Sequence, residues 1–385
     1  MRVFLDHAST TPVRPAAIEA LNNALLLVGN PSSIHTAGQS SRAVLEDARD
    51  LLAKLAGADR NEVVFLSGGT EANNQAIKGL YWASGKRLII SSPTEHHAVL
   101  DPILWLAEHE KAEVIWLNVS ASGELDLEQL QRLVIDRRDE IALISLMWVN
   151  NETGVITDIE RVVEIAQGIP VHCDAVAAFG HIPIDFKASG LASMAISGHK
   201  FGAPIGVGAL FVSRSQKPIP LLHGGSQERS LRSGTMSYPL AAALSAAAQA
   251  AIQDRIEREA RLGELRDYLE QEIQALFPAV IRTSESADRI AHTSNLIFPG
   301  AQSDSLLFLL DQQGISASSG SACTAGVLAP SHVLTAMGYD QELADCAIRI
   351  TLGHTTTRAD IDFFLSAIKL CYPIALRDGA NQKAI

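Results

Sequence analysis

The feature that most constrains this chain is a series of short, mainly apolar runs, each followed by a longer amphipathic stretch. The runs are Glu62–Leu66, Arg87–Ser91, Glu113–Leu117, Ile141–Met147, Pro170–Cys173, Ala192–Ile196 and Ala209–Val212. Their apolar residues are continuous rather than alternating, the pattern of strands buried on both faces. Between the runs, helices are expected at Arg14–Leu27, Thr36–Ala56, Glu71–Ala83, Ala98–Glu110 and Ile159–Gln167. In the second of these, Val44, Leu45, Ala48, Leu51, Leu52 and Leu55 recur at helical spacing and form one apolar face. Strands alternating with covering helices predict an α/β fold built on a mainly parallel sheet. The pattern then changes. Pro239–Phe277 reads as one long helical region, Arg289–Phe298 as a strand and Asp304–Gln312 as a helix. Ile315–Cys323 reads as a strand running into a Ser/Gly loop. A second, smaller α+β domain is expected from about residue 256 onward.

Composition excludes several classes. The 385 residues are 47% hydrophobic and 19% charged, enough for a large core and unlike a disordered chain. The net charge of -12 argues against direct nucleic-acid binding. The longest uncharged stretch, Ser233–Gln253, is alanine-rich and interrupted by Gly234 and Pro239, which suits a buried helix and no membrane span. Met1–Asp6 is too short an apolar run for a signal peptide. The cysteines, Cys173, Cys323, Cys346 and Cys371, show no CxxC spacing. A reducing, cytoplasmic location is therefore expected.

Five groups of residues carry candidate chemistry. Ser67-Gly68-Gly69-Thr70 joins a strand to a helix start, where outward N–H groups and the helix dipole favour an anion. Thr70 as an ordinary helix cap is the plainer alternative. Ser197-Gly198-His199-Lys200 precedes a glycine-rich loop, and a partly desolvated lysine there becomes an imine-forming nucleophile. Asp174 ends a strand, where open α/β sheets bind ligands, and would stay ionised beside a cationic ring nitrogen. His96 follows another strand and suits acid/base work or ring stacking. Ser318–Thr324 is a small-residue loop with the single thiol of Cys323, suited to a nucleophile that must reach into a pocket. His96, His97, His172, Cys173 and Asp174 lack the ordered spacing of a metal set, so no metal is expected.

A phosphate cradle, a histidine, a strand-end aspartate and a loop lysine together describe a pyridoxal 5'-phosphate site. The chain resembles the NifS/IscS-type cysteine desulfurases of the class V aminotransferase family, within the PLP-dependent transferase fold type I. The resemblance runs through Leu5–Pro12, Gly29–Ser33, Ser67–Asn74, Thr94–His96, Val149–Gly154, Ser197–Lys200, Arg232–Thr235, Ser318–Thr324 and Ile348-Arg349. It implies a large PLP-binding domain over 11–255, and a small domain of 1–10 and 256–385 that carries the cysteine loop.

The resemblance also implies roles. Lys200 would hold the cofactor covalently and move the substrate Cα proton. Asp174 would bind the pyridinium nitrogen, and His96 would stack on the ring and act as acid/base. Gly69, Thr70, Ser197 and His199 would hold the phosphate, and Thr235 would reach the phosphate of the neighbouring subunit in a homodimer. Asn150 would contact cofactor or substrate. Arg349 would grip the substrate carboxylate through its bidentate fork. Cys323 would take sulfur from L-cysteine as a persulfide, releasing L-alanine, for transfer to an iron–sulfur scaffold or a tRNA-thiolating enzyme. Two departures stand out. Ala177 occupies the place of a glutamine that would bond the cofactor's ring oxygen. The sequence also ends at Ile385, soon after its last helical run, where IscS-like members carry a longer tail that meets a scaffold partner. A selenocysteine lyase or another class V enzyme is the alternative; an aminotransferase would not need Cys323. A non-catalytic scaffold of the same fold would need neither Lys200 nor Cys323.

Overall fold

The computed structural model describes residues 2–320 and 330–382. The strands are β1 (Val3–Phe4), β2 (Val63–Leu66), β3 (Leu88–Ser91), β4 (Glu113–Trp116), β5 (Ile141–Met147) and β6 (Val171–Asp174). They continue with β7 (Ser193–Ser197), β8 (Gly208–Val212), β9 (Ile281–Arg282), β10 (Thr293–Ile297), β11 (Ile315–Ser316) and β12 (Ala347–Thr351). Seven of them form one sheet in the order β2-β8-β7-β6-β5-β3-β4. β7, β6, β5, β3 and β4 pair in parallel, and β8 runs antiparallel to both its neighbours. β2 therefore points the same way as β7. Every apolar run of the sequence is a strand of this sheet, and each of β2, β3, β5, β6, β7 and β8 is buried along its whole length.

Helices cover both faces, as continuous apolar strands require. Pro15–Leu25, Thr36–Leu55 and Tyr238–Gln253 share one large apolar cluster with strand residues Phe65, Ile90, Ile144, Met194 and Phe211. Gly69–Ser84 and His97–Glu110 cover the other face, packing Ile77, Tyr81, Val99 and Ile103 onto Ile89 and Leu143. A separate cluster joins Val3 and Leu5 to the helices Arg255–Leu276, Ser303–Gln312 and Arg358–Gln382 and to the small sheet β12-β10-β9.

One expectation needs correction. Pro239–Phe277 is two helices, Tyr238–Gln253 and Arg255–Leu276, meeting at Asp254. Asp254 is held there by Arg14, whose Nη1 donates to its Oδ2 at 2.7 Å, and by Arg258. The strand expected to start at Ile315 and run into a Ser/Gly loop is Ile315–Ser316, and the part of the range beyond Gly320 lies outside the described residues. It has two-residue β1 as its partner, and Gly320 turns away with φ +72°. One glycine is fixed by close approach rather than by φ. A Cβ on Gly208 would lie 2.5 Å from the Ile196 carbonyl oxygen and 2.8 Å from Gly68 Cα. The Gly68 turn thus rests directly on β8.

Candidate active site

Because β2, β3, β5, β6 and β7 point the same way, their carboxyl ends lie along one edge of the sheet, where open α/β sheets bind ligands. Each end delivers residues to one cavity of about 320 Å³. After β2 come Gly69 and Thr70; after β3, His96; after β5, Asn150. Asp174 ends β6, and Ser197, His199 and Lys200 lie at the end of β7. Arg349 of β12 and the segment His7-Ala8-Ser9 close the cavity from the side of the smaller core.

The turn after β2 behaves as a cradle. The helix starts at Gly69 with Gly68 as its N-cap, and no side chain caps it. Thr70 is therefore inside the first turn rather than capping it. A Cβ on Gly69 would meet Val176 Cγ2 at 2.7 Å and Ser197 Cβ at 3.3 Å, so backbone and Ser197 come together as only glycine allows. Nearby, His199 Nδ1 is buried with no hydrogen-bond partner among the described residues. Burial and the neighbouring Lys200 charge lower the His199 pKa to about 4.

Asp174 is 5% exposed. Its Oδ1 accepts from the Val176 N–H at 2.9 Å and its Oδ2 from Asn73 Nδ2 at 2.7 Å. Burial pushes its pKa up, opposed by these donors and by the Lys200 charge. Behind Asn73 runs a relay. His172 Nε2 lies 3.0 Å from Asn73 Oδ1, and His172 Nδ1 lies 2.9 Å from Ser193 Oγ. The amide oxygen only accepts, so His172 carries its proton on Nε2 and Ser193 donates to Nδ1. Burial lowers the His172 pKa to about 3, which keeps the ring neutral.

Lys200 Nζ donates to the carbonyls of Ala8 at 2.5 Å and Ser9 at 3.0 Å, which ties β7 to the N-terminal segment. His96 caps its helix, Nδ1 accepting from the Ala98 N–H at 3.0 Å, so the proton of the neutral ring sits on Nε2. Burial, then the Lys200 charge, lowers its pKa to about 4. Asn150 Oδ1 accepts from the N–H groups of Glu152 and Thr153 at 2.9 and 3.0 Å. Its Nδ2 donates to the Thr94 carbonyl at 3.0 Å and faces Met147 Sδ at 3.4 Å, a weak partner. Arg349 is 4% exposed; its Nη2 donates to Asp6 Oδ1 at 2.9 Å and its Nη1 to the Asn151 carbonyl at 3.0 Å. Nε of Arg349 is buried with no partner among the described residues.

The sequence-predicted residues Gly69, Thr70, His96, Asn150, Asp174, Ser197, His199, Lys200 and Arg349 thus meet in one cavity. Thr235 is exposed and does not line it. Cys323 lies outside the described residues. Ala177 is in the lining and offers only a methyl group. Sequence reasoning missed Asn73, His172 and Ser193 as a unit, and it missed His7, His181 and His292 in the lining. Asn73 stood in a recognised motif, but its partner is 99 residues away.

The model of the class-V aminotransferases matches residues 3–364. The chain belongs to the class-V aminotransferase family. Its relatives include the IscS-like cysteine desulfurase of Mycobacterium tuberculosis, 46% identical over 95% of both chains. The cysteine desulfurase IscS of Dictyoglomus turgidum is 41% identical over 95% of this chain and 93% of that one. Among solved structures, a NifS-like protein superposes with a TM-score of 0.90 at 32% identity, covering 97% of this chain and all of that one. A structure described as SspA in complex with cysteine matches with a TM-score of 0.79 at 32% identity, covering 91% of this chain and 98% of that one. The class-V assignment agrees with the mainly parallel seven-stranded sheet.

His172 should make stability depend on pH. Unfolded, it titrates near its ordinary value; folded, only at about 3. Between these the unfolded chain binds a proton that the folded one does not, so acid favours unfolding. At about pH 5 the loss from His172 alone is about 2 kcal/mol, taking about 1.4 kcal/mol per pH unit. Urea unfolding of wild type and His172→Gln at about pH 7.5 and about pH 5 reads this as a difference. The variant should lose less stability on acidification; equal losses would contradict a buried, neutral His172.

Proposed function

We infer that this chain is a PLP-dependent cysteine desulfurase that uses the cavity at the sheet edge. It takes sulfur from L-cysteine and releases L-alanine, leaving a persulfide on Cys323. The observation that carries the reading is the convergence on one cavity of an uncapped helix start, a buried carboxylate and a lysine, in a chain 46% identical to an IscS-like cysteine desulfurase. The residues also fit the cofactor. The uncapped N–H groups, Ser197 and the buried His199 Nδ1 suit a phosphate. Asp174, raised by burial, accepts only from neutral donors and suits a ring N–H that brings positive charge.

We assign roles accordingly. When bound, pyridoxal phosphate supplies an electron sink that stabilises charge released at the substrate Cα. Gly69, Thr70, Ser197 and His199 hold the phosphate, and Asp174 holds the ring nitrogen's proton. Lys200 anchors the cofactor and moves the Cα proton. Its carbonyl partners, Ala8 and Ser9, accept only from a protonated or neutral N–H and aim the amine. His96, neutral at pH 7 with its proton on Nε2, stacks on the ring and passes a proton to or from substrate. Arg349, oriented by Asp6, binds the substrate carboxylate. Asn150 exchanges its weak Met147 sulfur contact for an oxygen of cofactor or substrate. In the sulfur step the Cys323 thiolate attacks the substrate sulfur, the C–S bond breaks, and Cβ takes a proton to complete alanine. We assign 11–255 to the cofactor-binding unit, and 1–10 with 256–385 to the unit carrying Cys323.

The active form is proposed to be a homodimer. Leu26, Val28, Ile34 and Ile205 are 82%, 87%, 92% and 76% exposed, an apolar surface that a second copy would cover. Thr235, exposed on its own chain, then completes the partner's phosphate site. The sulfur acceptor is proposed to be an iron–sulfur scaffold or a tRNA-thiolating enzyme in the cytoplasm. Cys173, Cys346 and Cys371 are all buried and none is in a disulfide, which suits a reducing compartment. Among the described residues, no helix is long and apolar enough to cross a membrane.

The assignment is tested by incubating the purified protein with L-cysteine, measuring alanine, and locating the added sulfur by mass spectrometry. Wild type should release alanine and carry one extra sulfur on Cys323, and Lys200→Ala should do neither while remaining folded. Sulfur on Cys173, Cys346 or Cys371 instead, or normal turnover by Lys200→Ala, would overturn it. For the dimer, sedimentation should give twice the chain mass. A fully active monomer would rule out the role given to Thr235.

A further inference from the structure

At the edge of the main cavity stands a second group of side chains that no role above employs. His181 lies in the turn after β6, Glu259 on the helix Arg255–Leu276, and His292 immediately before β10. His181 Nδ1 is 2.9 Å from Glu259 Oε1, and His292 Nδ1 is 3.5 Å from Glu259 Oε2. The two imidazole rings are 4.0 Å apart, centroid to centroid. One ligand atom from each residue lies within 4.8 Å of the others. His292 is 5% exposed, and its Nδ1, 3.5 Å from the carboxylate, makes no hydrogen bond among the described residues. Two imidazole nitrogens and a carboxylate oxygen are the ligand types that zinc takes.

We propose that His181, Glu259 and His292 form a binding site for a divalent transition metal of the zinc class. Metal–ligand bonds of about 2.0–2.2 Å at tetrahedral angles separate ligand atoms by about 3.3 Å. The distances from Glu259 to His181 and His292, 2.9 and 3.5 Å, bracket that value, and all three ligand atoms lie within 4.8 Å, so the side chains must draw together to close on a metal. His181 Nδ1 donates its proton to Glu259 Oε1 at 2.9 Å, and a metal taking Nδ1 would replace that proton, the ring then carrying it on Nε2.

Arg258 is the cation in contact with Glu259. Its Nε lies 3.2 Å from Glu259 Oε1, while its Nη groups are engaged by Asp254 and by the carbonyls of Ala251 and Gly180. It therefore orients the carboxylate from outside, leaving Oε2 toward His292. His181 and His292 both line the main cavity, so a fourth ligand, water or a solute thiol, reaches the metal from there. The three residues come from three distant segments, and a bound metal would staple the turn after β6 to the helix and to β10. Their positions, 181, 259 and 292, have no local ligand spacing, and so the site is invisible in the sequence.

Cobalt(II) tests this without relying on turnover. The PLP-loaded protein carrying Cys323→Ser, which removes a thiol that would compete for metal, is titrated with Co²⁺ and followed by its visible d–d absorbance. One equivalent should bind with an N/O-ligand spectrum and no thiolate charge-transfer band, and Zn²⁺ should displace it. His292→Gln and Glu259→Gln should each weaken binding by at least about 10-fold, with PLP absorbance and circular dichroism unchanged. Zn²⁺ should also raise the melting temperature of the parent and not of His292→Gln. Failure of the parent to bind saturably, a sulfur-ligand spectrum, or equal binding by His292→Gln would each overturn the proposal. Should a variant fail to fold, the spectrum and thermal shift of the parent still decide it.

Discussion

The site depends on one buried charge. Asp174 ends a strand that is covered on both faces, and an isolated carboxylate there costs several kcal/mol in lost hydration. Two neutral N–H donors offset part of that cost, and one of them, Asn73, is itself fixed by His172 and Ser193. Three side chains from β6, β7 and the helix Gly69–Ser84 thus orient a single oxygen. The helix that supplies Asn73 is the same one whose uncapped start forms the anion cradle. Whatever sets the carboxylate therefore also sets the distance between ring-nitrogen site and phosphate site. The remaining charge is left for a ligand to balance.

The path from sequence to site was legible where chemistry is local. Continuous apolar runs gave the strands because a strand buried on both faces has no polar side to show. Strand-end residues were legible as a set because parallel strands bring their carboxyl ends to one edge. What the sequence hid is long-range. Asn73 and His172 are 99 residues apart, and His181, Glu259 and His292 come from three separate elements. The break at Asp254 was hidden for the same reason: no proline or glycine marks it, and it is held by Arg14 from far upstream. The short β11 reflects a partner strand of only two residues, which no local propensity encodes.

A second constraint works at a distance from the cavity. Ser226, Glu228, Arg229 and Ser230 all have left-handed backbone, with φ between 45° and 66°. Such conformations persist only when their surroundings impose them. Here Arg49 does so, gripping both oxygens of the buried Glu228 at 2.8 and 2.6 Å, while the Phe65 N–H donates to the same carboxylate at 2.8 Å. This ties the segment leading to Thr235 to β2, the strand that carries the anion cradle. In the dimer reading, one ion pair thereby couples a chain's own phosphate site to the residue it offers its partner.

The central claim is that Asp174 completes its charge balance with a protonated ring nitrogen of pyridoxal phosphate. Nitrogen-15 NMR of protein loaded with cofactor labelled at that nitrogen reads the proton directly. The account predicts a pyridinium signal in the wild type that persists at mildly alkaline pH and is lost in Asp174→Ala. A wild-type signal of an unprotonated pyridine nitrogen, or one unmoved by Asp174→Ala, would contradict it.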